Sequence, residues 1–313
     1  MKLADSAAKP GVRLVRVADD RDGQRVDNFL AGQLKGVPRS LVYRLLRTGQ
    51  VRVNGRRAKP DTRLAAGDEV RIPPVRVSAA ETGVPPMPLA RRIAQATIFE
   101  DRDFLVLDKP AGIASHGGSG VSFGAIELLR AARPGENLEL VHRLDRDTSG
   151  VLVIARRRAA LTALQARIRE GSVTKQYLAL LCGRPARARF EVNVPLRKSV
   201  LQGGERMVRV DDAGKPALTV FRIREAYAAA ALAEVTLYTG RTHQIRVHAA
   251  HAGHPLAGDD KYGSRDCNRR LRECGLQRLF LHAARFEFDL GERAYAFSAP
   301  LPDDLREVLA RLS

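Results

Sequence analysis

Apolar positions near the start of the chain recur at helical spacing: Val26, Phe29, Leu30 and Leu34 share one face, and the pattern breaks at Gly36-Val37-Pro38. A second helix is predicted over 41–47, capped by Ser40 and ended by Gly49. Val51-Arg52-Val53, the turn dipeptide Asn54-Gly55 and Glu69-Val70-Arg71-Ile72 then predict short strands around a tight turn. Residues 23–75 therefore read as a small domain of two helices and a small sheet. Residues 1–22, with five basic and four acidic groups and little periodicity, read as a mobile leader holding at most one short strand at 12–17. Pro73, Pro74, Pro85, Pro86 and Pro88 mark an extended, semi-rigid linker, placed at 76–92.

From 93 to 313 the pattern changes. β-type runs at 104–107, 151–155, 176–181, 190–194, 231–237 and 280–288 outnumber the helical segments, predicted at 123–133, 159–170, 243–252, 269–274 and 305–312. The expected class is α+β, with a mixed or antiparallel central sheet in a single large domain over 93–313.

Composition narrows the function. With 44% hydrophobic residues in 313, the chain can bury a substantial core. It contains neither an apolar run long enough for a membrane span nor an apolar signal segment at its start, so a cytoplasmic protein without a membrane partner is expected. Cys182, Cys267 and Cys274 form no C-x-x-C pair, which argues for reduced thiols and against a disulfide framework or a zinc ribbon. A formal charge of +18 exceeds what solubility requires and points to a polyanion, although part of the arginine excess reflects composition shared with abundant alanine. Residues 23–75 carry eleven Lys or Arg against four Asp or Glu, with Arg39, Arg44, Arg47, Arg52, Arg56 and Arg57 gathered around the second helix and the turn. An RNA-binding face and a merely solvated basic face both fit that cluster.

The densest polar segment is Val141-His142-Arg143-Leu144-Asp145-Arg146-Asp147-Thr148-Ser149-Gly150, running straight into an apolar strand. Positive neighbours favour the charged form of a carboxylate, as nucleophilic or base chemistry requires, so Asp145 and Asp147 are candidates. A turn in which Asp147 and Ser149 bond the backbone is the plainer reading of the same residues.

The segment His142–Gly150 resembles the H-R-L-D-x-x-T-S-G motif of the RluA-type pseudouridine synthases at every defined position. Lys175-Gln176-Tyr177-Leu178-Ala179 resembles the K-x-Y-L-A strand of that family, and Gly240-Arg241-Thr242-His243-Gln244-Ile245-Arg246-Val247-His248 its G-R-T-H-Q-I-R-x-H motif. The basic unit at 23–75 resembles an S4 domain, through Gly49–Gly55. The resemblance implies a pseudouridine synthase fold and places the catalytic carboxylate at Asp145. It makes Arg143 the residue that helps displace the target base, with His142 beside it. Tyr177 becomes the ring that stacks on uracil and serves in deprotonating C5, Arg241 the partner of Asp145, and Ile245 a contact to the base. Arg44, Arg47, Arg52 and Arg56 become RNA contacts. No cofactor or metal is implied, and the partner is RNA rather than DNA. The segments 201–206 and 258–263 resemble most the branch acting on 23S ribosomal RNA. A sister enzyme acting on other rRNA or tRNA uridines, or a non-catalytic RNA-binding assembly factor, are the alternatives. One chain holds every motif, so a monomer suffices.

Three other features carry weaker readings. His243, His248, His251 and His254 lack the spacing and companions of a metal site. Gly117-Gly118-Ser119-Gly120 lacks the remainder of a phosphate-binding motif and reads as a loop near the site. The turn-rich stretch 196–216 reads as an insertion or hairpin tip.

Overall fold

The protein is described from a computed structural model that covers residues 11–34, 37, 39–75, 85–118, 122–200 and 206–312. Much of the expected linker (76–84), part of the glycine loop (119–120) and residues 201–205 lie outside the described residues. The chain divides into two compact units, 1–84 and 85–313.

In the first unit, β1 (Arg13–Arg16), α1 (Val26–Gln33), α2 (Arg39–Arg47), β2 (Arg52–Val53), β3 (Arg56–Arg57) and β4 (Glu69–Ile72) build a sheet in the order β1-β4-β2-β3 beneath two helices. Asn54 and Gly55 adopt φ of 48° and 75°, the left-handed pair that a two-residue hairpin needs. The Asn54 amide ties the turn to the start of β4, donating to Asp68 and accepting from the Glu69 N–H. Asp27 in α1 accepts from Tyr43 of α2 at 3.0 Å and from Arg25 at 2.7 Å, tying the helices together over a core of Val26, Leu30, Val42, Leu46 and Val70. Part of the expected leader belongs here: β1 pairs with β4, and Val17 is buried in this core. Short strands of alternating charge and apolar residues carry too little periodicity to be told from a leader.

The second unit contains α3 (Met87–Gln95), β5 (Thr97–Glu100), β6 (Phe104–Lys109), α4 (Ala125–Ala132), β7 (Glu139–Leu140), β8 (Ser149–Ala155), α5 (Arg158–Glu170), β9 (Val173–Cys182) and β10 (Arg189–Asn193). It continues with β11 (Leu196–Val200), β12 (Arg206–Val210), β13 (Leu218–Ala226), β14 (Ala230–Leu237), α6 (Gln244–His251), α7 (Arg265–Glu273), β15 (Leu281–Leu290), β16 (Arg293–Ser298) and α8 (Asp303–Leu312). The central sheet runs β10-β13-β14-β9-β15-β8-β6-β5, with β16 on β15 and β7 on β8. Its pairs are antiparallel except β15 with β8, so the sheet is mixed, as the strand-rich pattern predicts.

β6 and β8 are buried along nearly their whole length because both sheet faces are covered. Alternation sends Leu105, Leu107, Leu152 and Ile154 toward α3, α4 and α6, and Phe104, Val106, Val151 and Val153 toward α5 and β16. Each such Leu, Ile or Phe contributes roughly 1.5–3 kcal/mol by leaving water.

Two sequence expectations are corrected. Residues 87–92, expected as linker, form the first turns of α3, because a proline at N1 or N2 loses no helical hydrogen bond, and Ala90 and Ile93 are fully buried against the main core. Cys182 and Cys267, expected as free thiols, are joined by a disulfide across 85 residues of sequence. β9 and α7 meet only in three dimensions, and local spacing carries no trace of that approach. Cys274 is free. No helix among the described residues is long and apolar enough to cross a membrane.

Candidate active site

The parallel contact between β15 and β8 sets the site. Gly150 lies opposite Ala283, and Ala283 lies opposite Tyr177 of β9, so the start of β8 and Tyr177 are aligned across three strands. Gly150 has φ of 108°, and a Cβ there would collide with the Ala283 carbonyl, so only glycine permits this approach. Next to it Ser149 donates to His282 Nδ1 at 2.9 Å while His282 Nε2 donates to Ala299 O at 3.0 Å, an assignment that leaves Ser149 Oγ to accept from Arg278. Burial pulls His282 below its ordinary range, consistent with this neutral tautomer.

Residues 141–148 thus enter β8 as a loop held on both sides of Asp145. On one side the buried Ser115 hydroxyl donates to Leu144 O and accepts from Leu144 N–H, both at 2.8 Å. On the other, the Lys109 ammonium, also buried, donates to Pro110 O, Ile113 O and Arg146 O. Burial draws Lys109 down to about 7, against Asp147 and Asp145, which favour its charged form. Thr148 N–H closes a turn onto Asp145 O at 3.2 Å, and Asp147 pairs with its exposed neighbour Arg146. Asp147 thus meets a neighbouring side chain in place of the expected backbone of a turn, and the Ser149 hydroxyl is likewise taken by His282 and Arg278.

The Asp145 carboxylate is about 29% exposed and faces a cavity of about 560 Å³. Arg143, Leu144, Tyr177, Leu237 and Arg241 share its walls. Two nitrogens stand beside the carboxylate: Arg246 Nη1 at 3.8 Å and His243 Nε2 at 3.9 Å. Arg246 is fixed by a bidentate pair with Asp259, both contacts 2.7 Å, and its guanidinium lies 5.0 Å from the centre of the Tyr262 ring. Asp259 also accepts the N–H groups of Lys261 and Tyr262, and Arg246 with these contacts holds its carboxyl below the usual range against the opposing effect of burial. Tyr262 accepts from Val208 N–H and lies 2.8 Å from His243 Nδ1; with its hydroxyl donating to that nitrogen, the His243 Nε2–H would face Asp145.

Asp145, Tyr177, Arg143 and Arg241 come together in one cavity, and His142 reaches it with one edge. His142 stacks on Phe286 at 4.6 Å, and its Nε2 accepts the Val153 N–H. Burial pulls it to about 3, so it is a neutral packing and bracing group. Arg241 does not pair with Asp145; it is exposed, and its Nε donates to Pro216 O at 3.0 Å. The reason is local: Arg241 precedes α6, in a turn that Gln244 braces by accepting from Arg241 N–H and Thr239, whereas Arg246 sits inside the helix and reaches Asp259. Ile245 is 4% exposed in the main core with Ala249 one turn on, and it is not among the residues lining the cavity.

Burial, then the nearby Asp145, raise the Tyr177 phenol above its ordinary range. Its resting form is therefore a neutral ring, suited to stacking on a base. The histidines of the 243–254 segment have separate duties: His248 bonds Thr219 and Val194 O, and His254 lies 3.1 Å from Cys182 O. Arg44, Arg47, Arg52 and Arg56 are all exposed on the first unit, with Arg52 also donating to Gly55 O. Sequence reasoning misses Arg246, Asp259, His243 and Ser115; the signal available is the second arginine of the G-R-T-H-Q-I-R segment.

The RNA pseudouridylate synthase family matches residues 103–251, and the S4 domain matches residues 24–70. The chain is 52% identical to "Ribosomal large subunit pseudouridine synthase C" of Escherichia coli O157:H7 over 311 residues, 97% of each chain. It is 48% identical to the protein so named in Pasteurella multocida, over 99% of this chain and 97% of the other. Among solved structures it is similar to human RNA Pseudouridylate Synthase Domain Containing 4, at 25% identity and a TM-score of 0.60, over 72% of this chain and 96% of that one. Human RNA Pseudouridylate Synthase Domain Containing 1 is similar at 30% identity and a TM-score of 0.54, over 66% and 82%.

Proposed function

The chain belongs to the RNA pseudouridylate synthase family and carries an S4 domain, and on that premise we propose that it isomerises specific uridines of 23S ribosomal RNA to pseudouridine. The observation that carries the reading is the meeting of the Asp145 carboxylate, the Tyr177 ring and a nucleotide-sized cavity on one sheet face, with Arg246 behind the carboxylate.

The reaction breaks the N1–C1′ bond, turns the freed uracil, joins C5 to C1′ and moves the C5 proton to N1, so no atoms or electrons are gained or lost. Breaking the glycosidic bond leaves the ribose electron-poor, and a carboxylate under the sugar stabilises it as in glycoside hydrolysis. Asp145 fills that role. Arg246, locked by Asp259, aims the carboxylate, and Ser115 and Lys109 hold the loop that presents it. Tyr177 offers its face to the turning uracil. Taking the uridine out of its stack costs a few kcal/mol, and exposed Arg143 on the cavity wall is placed to occupy the vacated space. One chain supplies all these groups, and we propose that it acts in the cytoplasm as a monomer.

Carbodiimide mapping of pseudouridine on 23S rRNA from cells lacking the gene tests the reading. Stops lost in those cells and restored by the wild-type gene are expected. An unchanged rRNA pattern with altered tRNA moves the substrate, and a pattern unchanged in both leaves RNA binding without catalysis.

The S4 unit, with Arg44, Arg47, Arg52 and Arg56 exposed, is proposed to hold RNA phosphates. Deleting residues 1–84 is expected to weaken RNA binding and flatten its dependence on salt by several charges, with little change in single-turnover rate at saturating RNA. Equal salt slopes for the two proteins in filter-binding titrations would exclude that role.

A further inference from the structure

The cavity extends past Asp145 and Tyr177 to a region walled by His142, Gln165, Arg169 and Lys175. Lys175 and Tyr177 are two residues apart on β9, both buried while Thr174 between the strand's buried positions is exposed, so their side chains share a face about 7 Å apart. Lys175 is 8% exposed and lines this cavity; among the described residues no hydrogen bond or ion pair reaches its ammonium, which opens onto the cavity. Lys109 shows the contrast: also buried, it is satisfied by three carbonyls and drawn on by Asp145 and Asp147. His142 beside Lys175 is neutral and already bonded to Val153 N–H, and it supplies no counter-charge. Arg143 and Arg169, both exposed on the cavity wall, likewise have no carboxylate partner among the described residues.

An ammonium that is largely withdrawn from solvent and open only to a cavity is poorly compensated, and an arriving anion supplies the missing counter-charge. Burial alone lowers the Lys175 ammonium from its ordinary range, as expected of a cation whose counter-charge arrives with a ligand. A uracil carbonyl could accept a hydrogen bond but would leave the charge uncompensated. A flipped nucleotide, by contrast, brings its flanking phosphates to the mouth of the pocket that holds its base. Resting on the reading that this cavity takes a uridine of RNA, we propose that Lys175 forms an anionic subsite for a backbone phosphate flanking the target uridine, with Arg169 at its rim.

The test uses full-length protein and a short RNA containing a uridine that the wild-type enzyme converts, with single methylphosphonates placed in turn at each linkage near the target. One flanking linkage is expected to be sensitive, its neutralisation lowering wild-type kcat/KM by about tenfold or more, as for loss of a charge-assisted hydrogen bond. Lys175→Met is expected to show a similar loss on unmodified RNA, carried by KM, with a salt slope lower by about one and no further loss at that linkage. Lys175→Arg should recover most of the loss and keep the sensitivity. Equal cost of the flanking methylphosphonates to wild type and Lys175→Met would overturn the subsite. If Lys175→Met fails to fold, the linkage scan on wild type still decides, because insensitivity at both flanking linkages overturns it. A wild-type enzyme that forms pseudouridine in no RNA defeats the reading of the pocket itself, and the subsite with it.

Discussion

Asp145→Asn is expected to lower pseudouridine formation by about four orders of magnitude or more, the scale seen when a catalytic nucleophile is removed. The amide keeps the shape of the carboxylate and removes the charge and nucleophilic oxygen that an electron-poor ribose, or C6 of the base, requires. Folding should survive. The substitution weakens an ion pair at 3.8 Å to a partly exposed carboxylate and a longer approach to His243, together worth at most about 1 kcal/mol at such exposure. RNA affinity should stay within a few fold, because the proposed phosphate contacts, Lys175 and the S4 arginines, are untouched. Release of tritium from RNA labelled at uridine C5 reads the chemistry directly, and filter binding reads affinity on the same samples. Turnover by Asp145→Asn within tenfold of wild type would remove Asp145 from the chemistry.

Asp145 can be placed from sequence because its requirements are contiguous: the loop 141–148, the glycine that lets β8 meet β15, and the apolar strand behind it occupy one stretch of chain. Tyr177 is legible for the same reason, since the alternation of β9 fixes which face it takes. The sequence pairs Arg241 with Asp145, whereas the structure puts Arg241 on the cavity wall bonded to Pro216 O and Arg246 beside the carboxylate, because the segment contains two arginines and which one meets the carboxylate depends on where α6 begins. His243 stands at φ of 53° just before the helix, and this turn puts Arg241 outside and Arg246 inside. The partner that fixes Arg246, Asp259, lies thirteen residues on, in a loop with no periodic signal. The same limit hides Ser115, twenty-nine residues before the Leu144 backbone that it clamps. β13 escapes a sequence reading because Arg222, Arg224 and Glu225 dilute its apolar alternation, β16 because it is short with small Ala and Ser around its two aromatics, and α3 because prolines that resemble breakers there start a helix.

Arg246→Leu is the second large effect, and it separates folding from catalysis. The Asp259 side chain is about 1% exposed; removing its bidentate partner leaves a buried carboxylate without its guanidinium, though the Lys261 and Tyr262 N–H groups still reach it. Breaking one half of such a pair costs roughly 3–5 kcal/mol, which for a protein of this size is a fall in Tm on the order of 10 °C. Arg241→Leu, by contrast, should leave Tm nearly unchanged, since it loses one exposed hydrogen bond to Pro216 O. The pH dependence carries a second signature. In the wild type Asp259 is held below its ordinary range, so its contribution is present at neutral pH and lost as pH falls through the folded value. In Arg246→Leu burial, the largest influence on this group, is opposed by the Lys261 and Tyr262 N–H groups without the guanidinium, so the folded carboxyl rises from its wild-type position toward its unfolded value. The loss of stability at this group on acidification is then smaller than in the wild type, and differential scanning calorimetry across the acid range distinguishes the two. Adding Asp259→Leu removes the stranded charge, and the double variant is expected to regain much of the lost Tm while pseudouridine formation stays low, because Asp145 still has no guanidinium to aim it. Recovery of activity together with Tm in the double variant would reduce Arg246 to a brace for the 258–263 loop.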